Sequence, residues 1–146
     1  MATAHDVAAY ILGKCGRMTT MKLEKLLYYA QAWSLVWDDK PLFSERIEAW
    51  ANGPVVRDIY QLHRGEYEIS QWPKGDPDAL TPDERDSVDA VLEYYGDRSS
   101  QWLSDLTHSE SPWRDARHGL APGQQGRREI THAAMAEYYE GLTALN

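Results

Sequence analysis

The chain is short of cysteine, of phenylalanine, of long apolar runs and of positive charge, and each shortage removes a class of protein. Cys15 is the only cysteine among 146 residues, so no internal disulfide can form. One thiol fits a reducing compartment, and a cytoplasmic location is the expectation. Cys15 continues the run Val7, Ala8, Ile11 at helical spacing, which predicts a small buried side chain. No apolar stretch reaches the length of a membrane span, and the opening Met-Ala-Thr-Ala-His-Asp lacks the basic and apolar regions of a secretion signal, so no membrane partner is expected. The formal net charge of -8 argues against nucleic acid as a ligand, because phosphate neutralisation needs clustered Lys and Arg. The histidines show no His-x-x-x-His spacing and there is no Cys-x-x-Cys, so no metal is expected. Neither a Gly-x-Ser-x-Gly elbow nor a Walker sequence occurs, and no cofactor is expected.

What the chain does have is tryptophan and tyrosine: six and nine, against one Phe. Both carry a polar handle and are enriched where a surface is half buried or meets a partner, although most large aromatics in a small domain fill its core. Charge is uneven. Asp38–Asp89 holds thirteen acids and six bases, whereas Ser111–Arg128 holds one acid, Asp115, and four arginines. The acidic side could steer a basic partner; plain solubility is the simpler use.

Hydrophobic spacing predicts a mainly α, single compact domain over 1–146, with about six to seven helices and one short β element. A first helix over about His5–Lys14 ends at Gly13 and Gly16. Thr20 reads as the N-cap of the strongest element, about 21–37, where Leu23, Leu26, Leu27, Ala30, Trp33 and Trp37 form one stripe and Tyr29, Ala32 and Val36 a second. Only a narrow strip with Lys22, Glu24 and Lys25 is left charged, the pattern of a central helix, and Pro41 is read as its stop. Arg46–Trp50 alternates like a strand. Asn52-Gly53-Pro54 reads as a sharp turn with Pro54 opening a helix through Val55, Val56, Ile59, Tyr60 and Leu62. Glu66–Leu80 reads as a loop. Thr81-Pro82-Asp83-Glu84 carries the capping-box pattern, followed by Val88, Val91, Leu92 and Tyr95 and closed by Gly96. Ser99 or Ser100 caps a short helix with Trp102, Leu103 and Leu106, and Ser111-Pro112 starts another reaching Arg117. Gly119–Gly126 is a flexible loop, and Thr131 caps a last helix with Met135, Tyr138, Tyr139 and Leu142 on one face.

Three segments carry a resemblance. The first is Thr20-Met21-Lys22-Leu23-Glu24-Lys25-Leu26-Leu27-Tyr28-Tyr29-Ala30-Gln31-Ala32. The second is Lys40-Pro41-Leu42-Phe43 with Ile47-Glu48-Ala49-Trp50-Ala51-Asn52-Gly53-Pro54-Val55-Val56 and Tyr60. The third runs Leu106-Thr107-His108-Ser109-Glu110-Ser111-Pro112-Trp113-Arg114-Asp115-Ala116-Arg117. In this order they resemble the Panacea domain of the SocA-like antitoxins, over about residues 4–140. The resemblance implies an antitoxin of a two-gene toxin–antitoxin system that neutralises its cognate toxin by direct protein–protein binding. SocA itself is similar in domain but works as a proteolytic adaptor that delivers its toxin to the ClpXP protease. Many relatives are phage-associated, so a phage or prophage protein that blocks a host factor is a further reading. Some antitoxins of the family add a DNA-binding domain; the resemblance fills this chain, so autoregulation of transcription is not expected.

The residues have readings of their own. Leu26, Leu27, Trp50, Gly53, Pro54, Thr107, His108 and Pro112 read as structural. His108 is expected to link two helices through buried hydrogen bonds, since buried polar groups need partners. Partner contacts are expected outside the shared motifs: His5 and Asp6 on the first helix, Tyr67 and Trp72 in a loop with little core of its own, and the Gly119–Arg128 loop. Trp113 with Arg114 and Arg117 has the composition of an interface hot spot, and is equally compatible with a core Trp flanked by solvated arginines. An enzyme is not expected. A small hydrolase would need His108, Glu110 and an arginine around one pocket, and residues two apart do not share a helical face.

Overall fold

A computed structural model describes residues 1–144. Helix α1, Ala4–Cys15, opens with a capping box in which Asp6 N–H donates to Thr3 Oγ1 at 3.2 Å and Thr3 N–H donates to the Asp6 carboxylate at 3.0 Å. A two-residue strand β1, Met18–Thr19, leads into α2, Thr20–Trp37. The cap of α2 is Thr19, one residue earlier than the spacing predicts; its Oγ1 accepts Lys22 N–H at 3.1 Å. The helix stops at Trp37, well before Pro41, and the chain turns at Asp39 with φ 56°. Gln31 then holds the segment that follows: its Oε1 accepts Leu42 N–H at 2.7 Å and its Nε2 donates to the Phe43 carbonyl at 2.7 Å.

Strands β2, Ile47–Trp50, and β3, Gly53–Val56, form an antiparallel hairpin with Ile47 opposite Val56 and Trp50 opposite Gly53. This corrects the expected helix start at Pro54. The two-residue Ala51-Asn52 connection closes at once, Gly53 takes φ 121°, and β-branched Val55 and Val56 suit a pleated pair. The helix begins only at Arg57, as α3, Arg57–His63. The following stretch is more than a loop. Strand β4, Glu68–Ile69, pairs antiparallel with β1, and the chain then folds back over α1 through a 3-10 turn at Pro77–Ala79. Gly75 lies so close to the His5 carbonyl that a Cβ would overlap it.

The remaining helices start where their caps, or for α6 the Ser111-Pro112 pair, predict. They are α4, Pro82–Tyr95, with the Thr81–Glu84 capping box; α5, Ser100–Ser109, capped by Ser99; α6, Ser111–Ala116; and α7, His132–Ala144, capped by Thr131. The described residues hold seven helices and two two-stranded sheets, one β element more than expected. Helix α2 runs through the middle with α1, α4, α5 and α7 packed around it. Leu23, Leu26, Leu27 and Tyr29 are fully buried, each contributing roughly 1.5–3 kcal/mol by leaving water. Cys15, expected to be buried, is exposed, because it ends α1 beyond that helix's packed turns. No helix of the described residues is long and apolar enough to cross a membrane.

Candidate partner-binding site

Glu24 and Lys25, which the pattern leaves on a charged strip, are 2% and 1% exposed. The hairpin explains why. In an antiparallel pair, alternate residues turn their N–H and C=O away from the partner strand. In β3 those residues are Pro54 and Val56, facing α2. Pro54 has no N–H to leave unpaired there. Its carbonyl accepts Lys25 Nζ at 3.1 Å, and Val56 N–H donates to Glu24 Oε1 at 2.8 Å. Two neighbouring helix side chains thus close a strand edge. Glu24 Oε2 pairs with His63 Nε2 at 2.7 Å. Burial pushes the Glu24 carboxyl up against the opposing pull of His63 and Val56 N–H, and pushes Lys25 down to about 8. A Cβ on Gly53 would sit 2.5 Å from Lys25 Cε, and φ is 121°, so any other residue here is strained.

The other edge of the hairpin is closed by the chain ahead of α7. Ala49 N–H donates to the Arg128 carbonyl at 2.8 Å, and Ile130 N–H donates to the Ile47 carbonyl at 2.9 Å. Trp113 ties α6 to the turn through Nε1, which donates to the Trp50 carbonyl at 2.8 Å. His108 stacks on the Trp113 ring at 4.1 Å. His108 thus joins α5 to α6 by stacking; its Nε2 is buried without a partner among the described residues, and burial lowers its pKa against the opposing pull of the Asn52 backbone. Arg117 is 5% exposed and donates to the Ala49, Ala121 and Gln124 carbonyls, pinning the 119–126 segment to the hairpin rather than meeting solvent. Thr107 Oγ1 donates to the Ser104 carbonyl at 2.7 Å, and Pro112 is buried.

The contact residues read from the sequence divide. Trp72 is buried against α1 and its Nε1 donates to His5 Nδ1 at 3.1 Å, so the loop borrows a core from α1. Asp6 is occupied as well, its Oδ1 accepting Asp76 N–H at 2.9 Å. Trp113 is half-buried. Tyr67, at 77% exposure, and Arg114 stand at the surface.

Two concavities open beside this scaffold. One of about 480 Å³ lies between α2, the hairpin and α3, with Trp50, Tyr60, His63, Arg64 and Arg127 among its walls. The other, about 650 Å³, lies between α2, α4, α5 and α7, where Trp33, Trp37, Tyr94, Tyr95 and Tyr138 surround Glu110. The sequence reading missed the second, because in its own helix each of those rings looks like a core position. The available signal was the excess of Trp and Tyr over Phe. Glu110 is 5% exposed, and its Oε1 accepts the Tyr29 and Tyr139 hydroxyls, each at 2.7 Å. Neither His108 nor an arginine lines that groove.

The hairpin, its α2 caps and the α5–α6 corner lie within one stretch of chain. A family model described as antitoxin SocA-like, Panacea domain, matches residues 23–114, from the first turn of α2 into α6. The chain belongs to that family. No curated protein and no solved structure matches it. The matched part of this Panacea domain contains the Glu24–His63 pair, the Gly53-Pro54 edge, the His108–Trp113 stack and the α2, α4 and α5 walls of the aromatic groove. Helices α1 and α7 lie outside the match, and so do His5, Asp6 and Arg117.

Proposed function

We propose that the chain is an antitoxin that neutralises a cognate toxin by direct binding, and that it acts in the cytoplasm as a binding module without a reaction of its own. The observation that carries this reading is membership of the SocA-like antitoxin family across residues 23–114. Two features of the geometry support it. Three buried titratable groups of the matched region, Glu24, Lys25 and His63, are occupied with backbone atoms and with each other. Large amphipathic rings meanwhile stay at the surface, Trp37 at 47%, Tyr94 at 60% and Tyr67 at 77% exposure, and such rings are what protein interfaces favour.

The test begins with the neighbouring small reading frame. Its product should arrest growth when expressed alone, lose that effect beside this chain, and accumulate in a complex that co-purifies with it. A neighbour that stays toxic in the presence of the folded chain would sink the proposal. A neighbour that is neutralised but disappears in a ClpXP-dependent manner would replace masking by delivery to a protease.

A further inference from the structure

The groove between α2, α4, α5 and α7 combines two features that packing alone does not require together. Its walls are aromatic, and two of its rings, Trp37 and Tyr94, are about half exposed. Its floor is a carboxylate. Glu110 is buried, yet no Lys, Arg or His pairs with it among the described residues. Its Oε1 takes both tyrosine hydroxyls, Oε2 accepts no hydrogen bond among the described residues, and the residue lines the groove. Burial raises this carboxyl, which a neighbouring cation would reverse.

Aromatic faces present the negative side of a ring quadrupole, and a carboxylate beneath them adds a full charge. That combination fits an organic cation, and it disfavours an acid or a neutral polar group. At the rim the Arg98 guanidinium lies 4.4 Å from the Trp102 ring centre and 5.9 Å from that of Tyr94, so the cation's place is on the Glu110 side of the groove, away from Arg98. The volume, about 650 Å³, exceeds one side chain, and Val91, Leu106 and Leu142 give the rest of the lining an apolar character. A net charge of -8 draws basic surfaces towards the molecule. We propose that this groove receives an arginine or lysine side chain carried on an apolar segment of a protein partner. The inference deepens the reading of the chain as a protein-binding module and rests on it; on that reading the partner is the toxin.

A short synthetic peptide tests the site without a toxin. Acetyl-Leu-Leu-Arg-Leu-Leu-amide and its citrulline counterpart differ only in the charge of one side chain. Binding to the full chain is followed by tryptophan fluorescence, since Trp33 and Trp37 line the groove. The arginine peptide should bind at least about tenfold more tightly than the citrulline peptide, since a desolvated cation–π contact with a carboxylate is of that order. Glu110→Gln, which keeps an acceptor for Tyr29 and Tyr139, should erase the difference. Trp37→Ala, at a half-exposed position and with its fold checked by circular dichroism, should weaken the arginine peptide alone. Equal binding of the two peptides, no binding of either, or a preference unchanged in both variants overturns the proposal. So does a concentration-dependent dimer that Trp37→Ala dissolves, which would make a second copy the occupant. Toxin neutralisation by Trp37→Ala and Glu110→Gln separates the two readings. Full neutralisation by both variants places the toxin elsewhere and overturns this inference while the antitoxin reading stands. A native chain that binds the arginine peptide selectively yet neutralises nothing sinks the antitoxin reading and leaves the groove's chemistry in place.

Discussion

Lys25 shows how much one residue type can hide. A lysine with 1% exposure is costly to keep charged, and burial accordingly lowers it to about 8 from its ordinary 10.5. In the unfolded chain it holds its proton up to the ordinary value, so between the two the unfolded state binds more protons and stability rises with pH. Urea unfolding of the native chain and of Lys25→Met, compared from about pH 8 to about pH 9.5, should show a rise of about 2 kcal/mol in the native chain that the variant lacks. Parallel curves would mean that the ammonium stays charged in the fold. The window closes near pH 10, because Tyr28, Tyr29, Tyr95 and Tyr139 are all raised by burial and their ionisation then favours the unfolded state. Gly53 is the other half of the same contact. Gly53→Ala puts a Cβ against Lys25 at φ 121°, and chemical denaturation should register a loss above about 1 kcal/mol.

At the scale of elements, α1 and the 66–80 segment form one unit, with Trp72 as its bolt. Trp72→Ala should therefore cost roughly 3–5 kcal/mol, like other large truncations in a core, whereas Tyr67→Ala should stay within about 0.5 kcal/mol. Thermal melts of the two variants would decide this, and similar melts would mean the segment is only loosely held. Leu27→Ala in α2 belongs with Trp72, at roughly 2–5 kcal/mol. These elements also show what the sequence made legible. The Thr81–Glu84 cap and the Ser99 and Thr131 starts are local signals, complete within four residues, and they appear where expected. The apolar stripe of α2 places Leu26 and Leu27 correctly for the same reason. The hairpin does not reveal itself this way. Pro54 suits a helix start and a strand position turned away from its partner strand equally well, and only the partner strand and α2 decide between them. Glu24 and Lys25 look like surface charges until the strand edge they serve is in place. The aromatic groove needed four helices to be assembled before its rings faced one another.

At the scale of the whole molecule, the charge of -8 becomes a kinetic property. If the partner presents a basic side chain, its association rate should fall several-fold between roughly 50 and 500 mM salt, while dissociation changes much less. Stopped-flow mixing would measure both, and a salt-independent association rate would remove the role given to long-range attraction. A last consequence comes from the hairpin, whose two outer sides are covered, one by Glu24 and Lys25 and the other by residues 128–130. No row of unpaired peptide groups is left on it to template a foreign strand. This hairpin is therefore a poor template for mixed aggregates. If the chain binds a partner as proposed, recognition falls to exposed side chains, positions where most substitutions cost under about half a kcal/mol. On that reading a lineage of such proteins would exchange one opponent for another by repainting its surface, while the backbone beneath stays as it is.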